Sequence, residues 1–404
     1  MRYGKQCLGV SNPNMFSTKS KRLNRVLYLE DFEPEAKKIL PRPIYGYISN
    51  AAETGQSHKN NLSAFEDYVF LPTALKDVSK RSAETELLGH TYSAPFGISP
   101  MGISALSTYR GDIVLASGAA KENIPMIVSG TSLIRLEDII KVNPNAWFQA
   151  YLPGDEANID ALIKRVADAN FKTLVLTADT CVLGSRENHV KSGFSTPLRP
   201  SFRLLWDGIT HPSWAIGTFM RTIACHGLPH FENSFAHRGA PIISKTVDRD
   251  FTYRDHLNWN HVERIRKSWK GHFVLKGILN VQDAKRAVEA GVDGIIVSNH
   301  GGRQMDGAIS PLQVLADIVK ACPSIPVMMD SGIRRGSDIL KAFGLGAKFV
   351  FIGRPFGFAS AVGGEDGVRH ACNILKTEIS RNMALLGVTS MNDIEFGKNV
   401  LKKS

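Results

Sequence analysis

The chain has 404 residues, 43% of them hydrophobic and 22% charged, the balance of a folded protein with a sizeable core; this length fits two domains or one α/β barrel with an insertion. Lys and Arg number 49 against 38 Asp and Glu, and the formal charge of +11 points to an anionic partner such as a carboxylate, a phosphate or an acidic lipid surface. Dispersed basic residues without a zinc-finger, RNA-binding or leucine-zipper pattern argue against nucleic acid, no apolar run reaches the roughly 20 residues of a membrane span, and five cysteines without a C-x-x-C pair favour neither a disulfide framework nor a zinc site.

Residues 1–27 are basic and rich in hydroxyls, with no acid before Glu30, and are expected to form a flexible arm; an organelle transit segment is the alternative. Residues 28–404 read as one domain. Short apolar runs, each bounded by Gly, Pro or a polar residue, begin with "PFGISP" (Pro95 to Pro100), "PMIVSG" (Pro125 to Gly130), "WFQAY" (Trp147 to Tyr151) and "TLVLTAD" (Thr173 to Asp179). Between the third and fourth, the stretch from Asp155 spaces Ile159, Leu162, Ile163 and Val166 as one stripe of a helix.

The segment from about 183 to 258 is too long for an ordinary barrel connection. It mixes Leu204, Leu205, Trp206, Trp214, Ile216 and Phe219 with Arg199, Arg203 and Arg221. That composition suits an anionic membrane surface, with a lid or a subunit contact as the plainer reading.

The runs resume with "HFVLKG" (His272 to Gly277), "GIIVSNH" (Gly294 to His300), "PVMMDSG" (Pro326 to Gly332) and "FVFIGRP" (Phe349 to Pro355). A helix from Val281 stops before Gly291, and another opens with Ser310 as cap and Pro311 at its first position. Eight strands alternating with helices predict a (β/α)8 TIM barrel with a long insertion after the fourth strand, an open doubly wound sheet being the runner-up.

In such barrels the chemistry sits where strands end. The ends here supply Gln149 and Tyr151, Thr177 and Asp179, Lys276, Ser298, His300 and Arg303, Asp330, and Gly353 with Arg354. "DSGIRRG" and "IGRP" follow the last two strands, where backbone N–H groups together with Arg334, Arg335 and Arg354 suit a phosphate. Lys276 is open to three readings: contact with the electron-rich edge of a flavin, a Schiff base, or a salt bridge. His300 can accept a proton from a hydroxyl-bearing carbon, Asp179 can orient its ring, and the planar fork of Arg303 can hold a carboxylate beside it.

The stretch "SNHGGRQMDG" (Ser298 to Gly307) matches the signature S-N-H-G-[GA]-R-Q. With "LTADTCVLGSRE", "VLKGI", "DSGIRRG" and "FIGRP" in the same order, the chain from about Tyr28 to Leu386 resembles the FMN-dependent α-hydroxy acid dehydrogenases and oxidases. "THPSWA" and "GLPH" in the insertion look most like the bacterial L-lactate dehydrogenase branch. The resemblance implies FMN as cofactor and oxidation of a small L-2-hydroxy acid, L-lactate first, to the 2-oxo acid. It implies His300 as base held by Asp179, Tyr47 and Arg303 on the substrate carboxylate, Tyr151 on the reacting oxygen, and Arg186 as added positive charge. It further implies Gln149, Thr177, Lys276 and Ser298 on the flavin, Asp330 on the ribityl chain, and Arg334, Gly353 and Arg354 on the phosphate.

A quinone, a cytochrome or oxygen takes the electrons in such enzymes, and a homotetramer or larger ring is the implied assembly. The implied location is cytoplasmic, or peripheral on the inner face of the cytoplasmic membrane. Departures occur at Asn50 and Ala51, at Met101 and at Gly130, near the flavin and the substrate side chain; they leave the chemistry intact and put substrate identity in play. The rival activities are a peptide-modifying FMN oxidase, a type 2 isopentenyl diphosphate isomerase and a catalytically silent flavin-binding scaffold.

Overall fold

A computed structural model describes residues 21–194, 202–244 and 254–403, apart from the side chains of residues 203–205. Residues 1–20 of the basic arm, and in the insertion Arg199 with the side chains of Arg203, Leu204 and Leu205, lie outside the described residues. The eight apolar runs form β1 (Phe96–Ile98), β2 (Ile127–Ser129), β3 (Trp147–Ala150), β4 (Thr173–Thr177), β5 (His272–Ile278), β6 (Gly294–Val297), β7 (Val327–Met329) and β8 (Phe349–Ile352). They pair in parallel in the order β1-β8-β7-β6-β5-β4-β3-β2, and a bridge between Ile98 and Met126 brings the two ends together. The expected (β/α)8 barrel is thus the observed architecture.

Alternation along each strand builds two cores. Ile127, Trp147, Val175, Val274, Ile296, Met328, Phe349 and Phe351 fill the barrel interior. A short antiparallel hairpin, Thr85–Leu87 with His90–Tyr92, closes that interior from below, because Leu87 and Tyr92 join the same cluster. The alternate residues, among them Val128, Phe148, Leu174, Leu176, Phe273 and Leu275, face the surrounding helices.

Those helices begin and end where local chemistry dictates. Asp155 caps Glu156–Asp168 by accepting from Asn158 N at 2.9 Å, and the stripe of Ile159, Leu162, Ile163 and Val166 is buried, each side chain stabilising the fold by about 1.5–3 kcal/mol. Val281–Glu289 ends just ahead of Gly291, whose φ of 76° suits a residue without a Cβ. Pro311–Ala321 starts after Ser310, whose N–H donates to Gln313 Oε1 at 3.2 Å.

Ahead of the barrel, α1 (Arg42–Ser49) and α2 (Gln56–Ser63) reach the loop that follows β6. Ala52 N donates to Gly302 O at 2.8 Å, while Thr54 N and Ser57 N donate to the Asp306 carboxylate at 3.0 and 2.9 Å. A segment far away in sequence therefore becomes part of the barrel mouth.

The insertion sorts its apolar residues onto two sides. Trp214 is buried, donates from Nε1 to Leu106 O at 2.7 Å and stacks on Phe219, and the Arg221 guanidinium lies 4.0 Å from the centre of the Tyr109 ring. Trp214 and Phe219 pack toward the barrel, which corrects their grouping with the outward-facing residues, whereas Arg221 stays exposed. Phe202, Trp206, Ile209, Ile216 and Met220 remain exposed, Phe202 at 94% and Ile216 at 70%. Among the described residues no helix is long and apolar enough to cross a membrane.

Candidate active site

The same alternation carries each strand from the inner core into the site. Two positions beyond an inner apolar residue a polar one follows on the same side: Gln149 after Trp147, Thr177 after Val175, Lys276 after Val274, Ser298 after Ile296 and Asp330 after Met328. A polar layer therefore caps the core. Within it Lys276 Nζ lies 2.8 Å from Asp330 Oδ2 and donates to Ser298 Oγ at 2.7 Å. The salt-bridge reading of Lys276 is realised, and both partners also line the cavity above. Asp330 Oδ1 in turn accepts from Ser331 Oγ at 3.0 Å.

One further step along the alternation brings Tyr151 and His300 to the cavity, with Asp179 behind His300. His300 Nδ1 lies 3.0 Å from Asp179 Oδ1, which leaves Nε2 as the ring nitrogen available to a substrate. Desolvation lowers the pKa of the imidazole below its ordinary value, and the Asp179 carboxylate offsets only part of that. Burial acts upward on Asp179, yet the His300 ring and the Lys276 ammonium bring its carboxyl below the usual range. The pair thus holds a neutral base beside an ionised orienter. Burial, with Asp179 adding to it, raises the Tyr151 phenol and keeps it an O–H donor.

A pH dependence follows. Substrate deprotonation requires neutral His300, so kcat/KM should rise with pH through a pKa below about 6.5. Asp179→Asn removes the group that raises His300, so the ascending limb should move to lower pH while the plateau falls, because the protonated ring loses its counter-charge. A limb that stays in place in the pH–rate profile would show that Asp179 does not set the base.

The cationic side of the cavity is built from both ends of the chain. Arg303 Nη1 donates to Tyr47 O, Ile48 O and Asn50 O at 3.0, 3.1 and 3.4 Å, and its guanidinium lies 5.2 Å from the Tyr47 ring centre. Arg186 Nε donates to Arg303 O at 3.1 Å and Nη2 to Gln304 Oε1 at 2.6 Å, so two guanidinium groups converge on one cavity. Desolvation, and then the nearby Arg186, pull Arg303 down to about 10. An incoming carboxylate relieves that strain.

Arg334, Gly353 and Arg354 also line this cavity, Arg354 sharing the Asn50 carbonyl with Arg303. Arg354 Nη2 donates to Asn50 O at 2.6 Å and to Gly301 O at 2.9 Å. Desolvation, then Arg303 and Arg334, hold Arg354 well below its ordinary pKa. A phosphate dianion supplies the charge this corner lacks. Gln149 Nε2, Thr177 Oγ1 and Arg354 Nε are buried donors without a hydrogen-bond partner among the described residues. Donors along the polar layer, with cations at one end, fit FMN.

Ten of the residues singled out from sequence line this cavity: Tyr47, Tyr151, Arg186, Lys276, His300, Arg303, Asp330, Arg334, Gly353 and Arg354. Gln149, Thr177, Asp179 and Ser298 do not line it; Gln149, Thr177 and Ser298 belong to the polar layer beneath, and Asp179 stands against His300. Met101 is in the wall as expected, whereas Gly130 is not; its N–H donates to Gln149 Oε1 at 3.2 Å and Thr131 takes its place. Sequence reasoning passed over Ser331, whose Oγ accepts from Gly301 N at 3.0 Å, and Gln304, whose Nε2 donates to Asp179 O at 3.1 Å. The position of Gln304 beside Arg303 in the motif was the available signal for it.

The family model described as FMN-dependent dehydrogenase matches residues 36–401. The chain belongs to the FMN-dependent dehydrogenase family. Its relatives there include the (S)-mandelate dehydrogenase of Pseudomonas putida, 36% identical over 91% of this chain and 92% of the relative. The L-lactate dehydrogenase of Pectobacterium atrosepticum is 35% identical over 90% and 94%, and the L-lactate oxidase of Lysinibacillus sphaericus 36% identical over 90% of each. Among solved structures, a monotopic membrane protein, (S)-mandelate dehydrogenase, superposes with a TM-score of 0.84 at 33% identity, over 94% of this chain and 100% of that one. This FMN-dependent dehydrogenase is therefore an α-hydroxy acid oxidising enzyme by family, fold and cavity chemistry.

Proposed function

We propose that the chain oxidises an L-2-hydroxy acid, L-lactate first, to the 2-oxo acid and passes the electrons to a quinone, a cytochrome or oxygen. The observation that carries this reading is the juxtaposition of His300, backed by Asp179, with Arg303 and Arg186 in one cavity. Arg303 grips the substrate carboxylate from beside the Tyr47 ring, and Arg186 adds positive charge. Tyr151 donates its O–H to the reacting oxygen. Nε2 of His300 takes the proton, and Asp179 stabilises the imidazolium that results. Bound FMN supplies the acceptor of two electrons. Gln149, Thr177, Lys276 and Ser298 hold the flavin ring, Asp330 the ribityl chain, and Arg334, Gly353 and Arg354 the phosphate.

A larger apolar 2-hydroxy acid is a second reading, favoured by the wall of Ile48, Met101, Ile103 and Leu183, which offers more apolar surface than a methyl group covers. Anaerobic mixing of FMN-loaded protein with L-lactate, glycolate, L-mandelate and longer 2-hydroxy acids tests both readings through loss of flavin absorbance. The acid that reduces the flavin most efficiently is the substrate, and absorbance unchanged by every acid sinks the assignment.

For the electron acceptor, the exposed face of Phe202, Trp206, Ile209, Ile216 and Met220 supports attachment to a membrane and so a quinone. The likeness to a solved monotopic (S)-mandelate dehydrogenase favours the same reading. Sedimentation with anionic phospholipid vesicles should carry the parent down and leave a Trp206→Ser, Ile216→Ser variant in the supernatant. Equal sedimentation of the two removes the insertion from any membrane role.

A further inference from the structure

We propose that Asn61 is a positioning residue for the catalytic loop, its amide paired with that of Asn299 so as to hold the turn that presents His300 and Arg303. The inference rests on the roles given to those two residues above. His300, Gly301 and Gly302 have φ values of 58°, 68° and 71°, three successive residues in the left-handed region. That region is disfavoured for a residue with a Cβ, so His300 stays there only because its surroundings fix it.

The fixing contacts can be traced one by one. His300 N donates to Ser298 Oγ at 3.0 Å and Gly301 N to Ser331 Oγ at 3.0 Å. Gly302 N, at the exit of the turn, is shared between two acceptors of Asn299, its backbone O at 3.0 Å and its side-chain Oδ1 at 3.1 Å. That oxygen also accepts from Asn61 Nδ2 at 2.7 Å, while Asn299 Nδ2 donates to Asn61 Oδ1 at 2.7 Å and to Ile309 O at 3.2 Å. Every hydrogen-bonding position of the Asn299 amide is used, and Asn61 uses half of them.

Asn61 is 0% exposed and Asn299 5%, so water does not replace a lost partner. The backbone of Asn61 also abuts the loop after β7: a Cβ on Gly332, at φ 88°, would lie 2.0 Å from Asn61 O. One residue of α2 thus touches both the loop that bears the base and the loop that serves the phosphate. If Asn61 loses its amide, Asn299 loses two of its four bonds, the exit of the turn loosens, and His300 moves off Asp179. Because Asp179 raises the pKa of His300, that pKa then falls.

The test uses FMN-loaded enzyme carrying ¹³C-labelled histidine. The His300 resonance is assigned by its loss in His300→Gln, then titrated in the parent, in Asn61→Leu and in Asn61→Ser. The pKa of His300 is expected to fall by about half a pH unit or more in Asn61→Leu and by less in Asn61→Ser, which keeps a small hydroxyl in place of the amide. In the same variants KM should rise and kcat fall, each by about tenfold, with FMN content unchanged. An unaltered His300 titration with parental KM and kcat, and only a lower melting temperature, overturns the inference and leaves Asn61 a structural residue. Should Asn61→Leu fail to fold, Asn61→Ser decides on the same readouts. Failure of the hydroxy-acid reading shows separately, as a parent enzyme whose FMN no acid reduces, and the titration then decides the positioning role alone.

Discussion

His300→Gln is expected to slow flavin reduction by the 2-hydroxy acid by about 10⁴-fold while the enzyme keeps its FMN. The loss follows from chemistry more than from shape. A glutamine amide can still meet the Asp179 carboxylate, but it has no basic nitrogen with which to take a proton from the substrate. Retention follows because the groups offered to the cofactor, Gln149, Thr177, Lys276, Arg334 and Arg354, lie on other strands and loops. Stopped-flow absorbance at saturating acid measures the step directly. Reduction at the parental rate would remove His300 as the base; loss of FMN would instead mean that the substitution disturbed the left-handed turn.

Arg303→Lys is expected to raise KM for the acid by about 10- to 100-fold, some 1.4–2.8 kcal/mol of lost binding, with a smaller change in kcat. An ammonium is a point charge on a flexible stem and cannot present the two parallel N–H groups that a carboxylate accepts. The structure adds a second cost. Nη1 of Arg303 also anchors the carbonyls of Tyr47, Ile48 and Asn50, so the end of α1 loses a tether when the guanidinium is removed. The melting temperature should therefore fall together with affinity. An unchanged KM would place the substrate carboxylate elsewhere, with Arg186 the next cation to examine.

Most of the site was legible because it obeys a short-range rule. Once Val175, Val274 and Ile296 are recognised as strand residues, alternation alone puts Thr177, Lys276 and Ser298 on the inner side and carries Asp179 and His300 together at the mouth. Contacts between distant segments leave no such trace. Nothing periodic links Asn61 to Asn299 or Asp306 to Ser57, and the hairpin of Leu87 and Tyr92 under the barrel is too short to stand out from a loop. The insertion defeated the reading for a different reason. Its apolar residues are too dense for composition to separate Trp214, which faces Leu106, from Trp206, which faces solvent. Lys276 needed its neighbour: only the fold brings Asp330 to it.

The tethering of α1 and α2 to the loop after β6 also sets a timetable for biosynthesis. Arg303 bonds to Tyr47 across 256 positions of chain, and Ser57 to Asp306 across 249. At about 5–20 residues per second, a ribosome needs roughly 10–50 s between releasing the first partner of each pair and the second. Throughout that interval α1 can lean on the segment after β4, where Tyr47 stacks on His189 and Glu53 N donates to Ser185 O, but the loop after β6 is missing from the barrel mouth. A nascent chain that stops short of the sixth strand has Tyr47, Tyr151 and Arg186 but lacks both the proposed base, His300, and the carboxylate fork of Arg303.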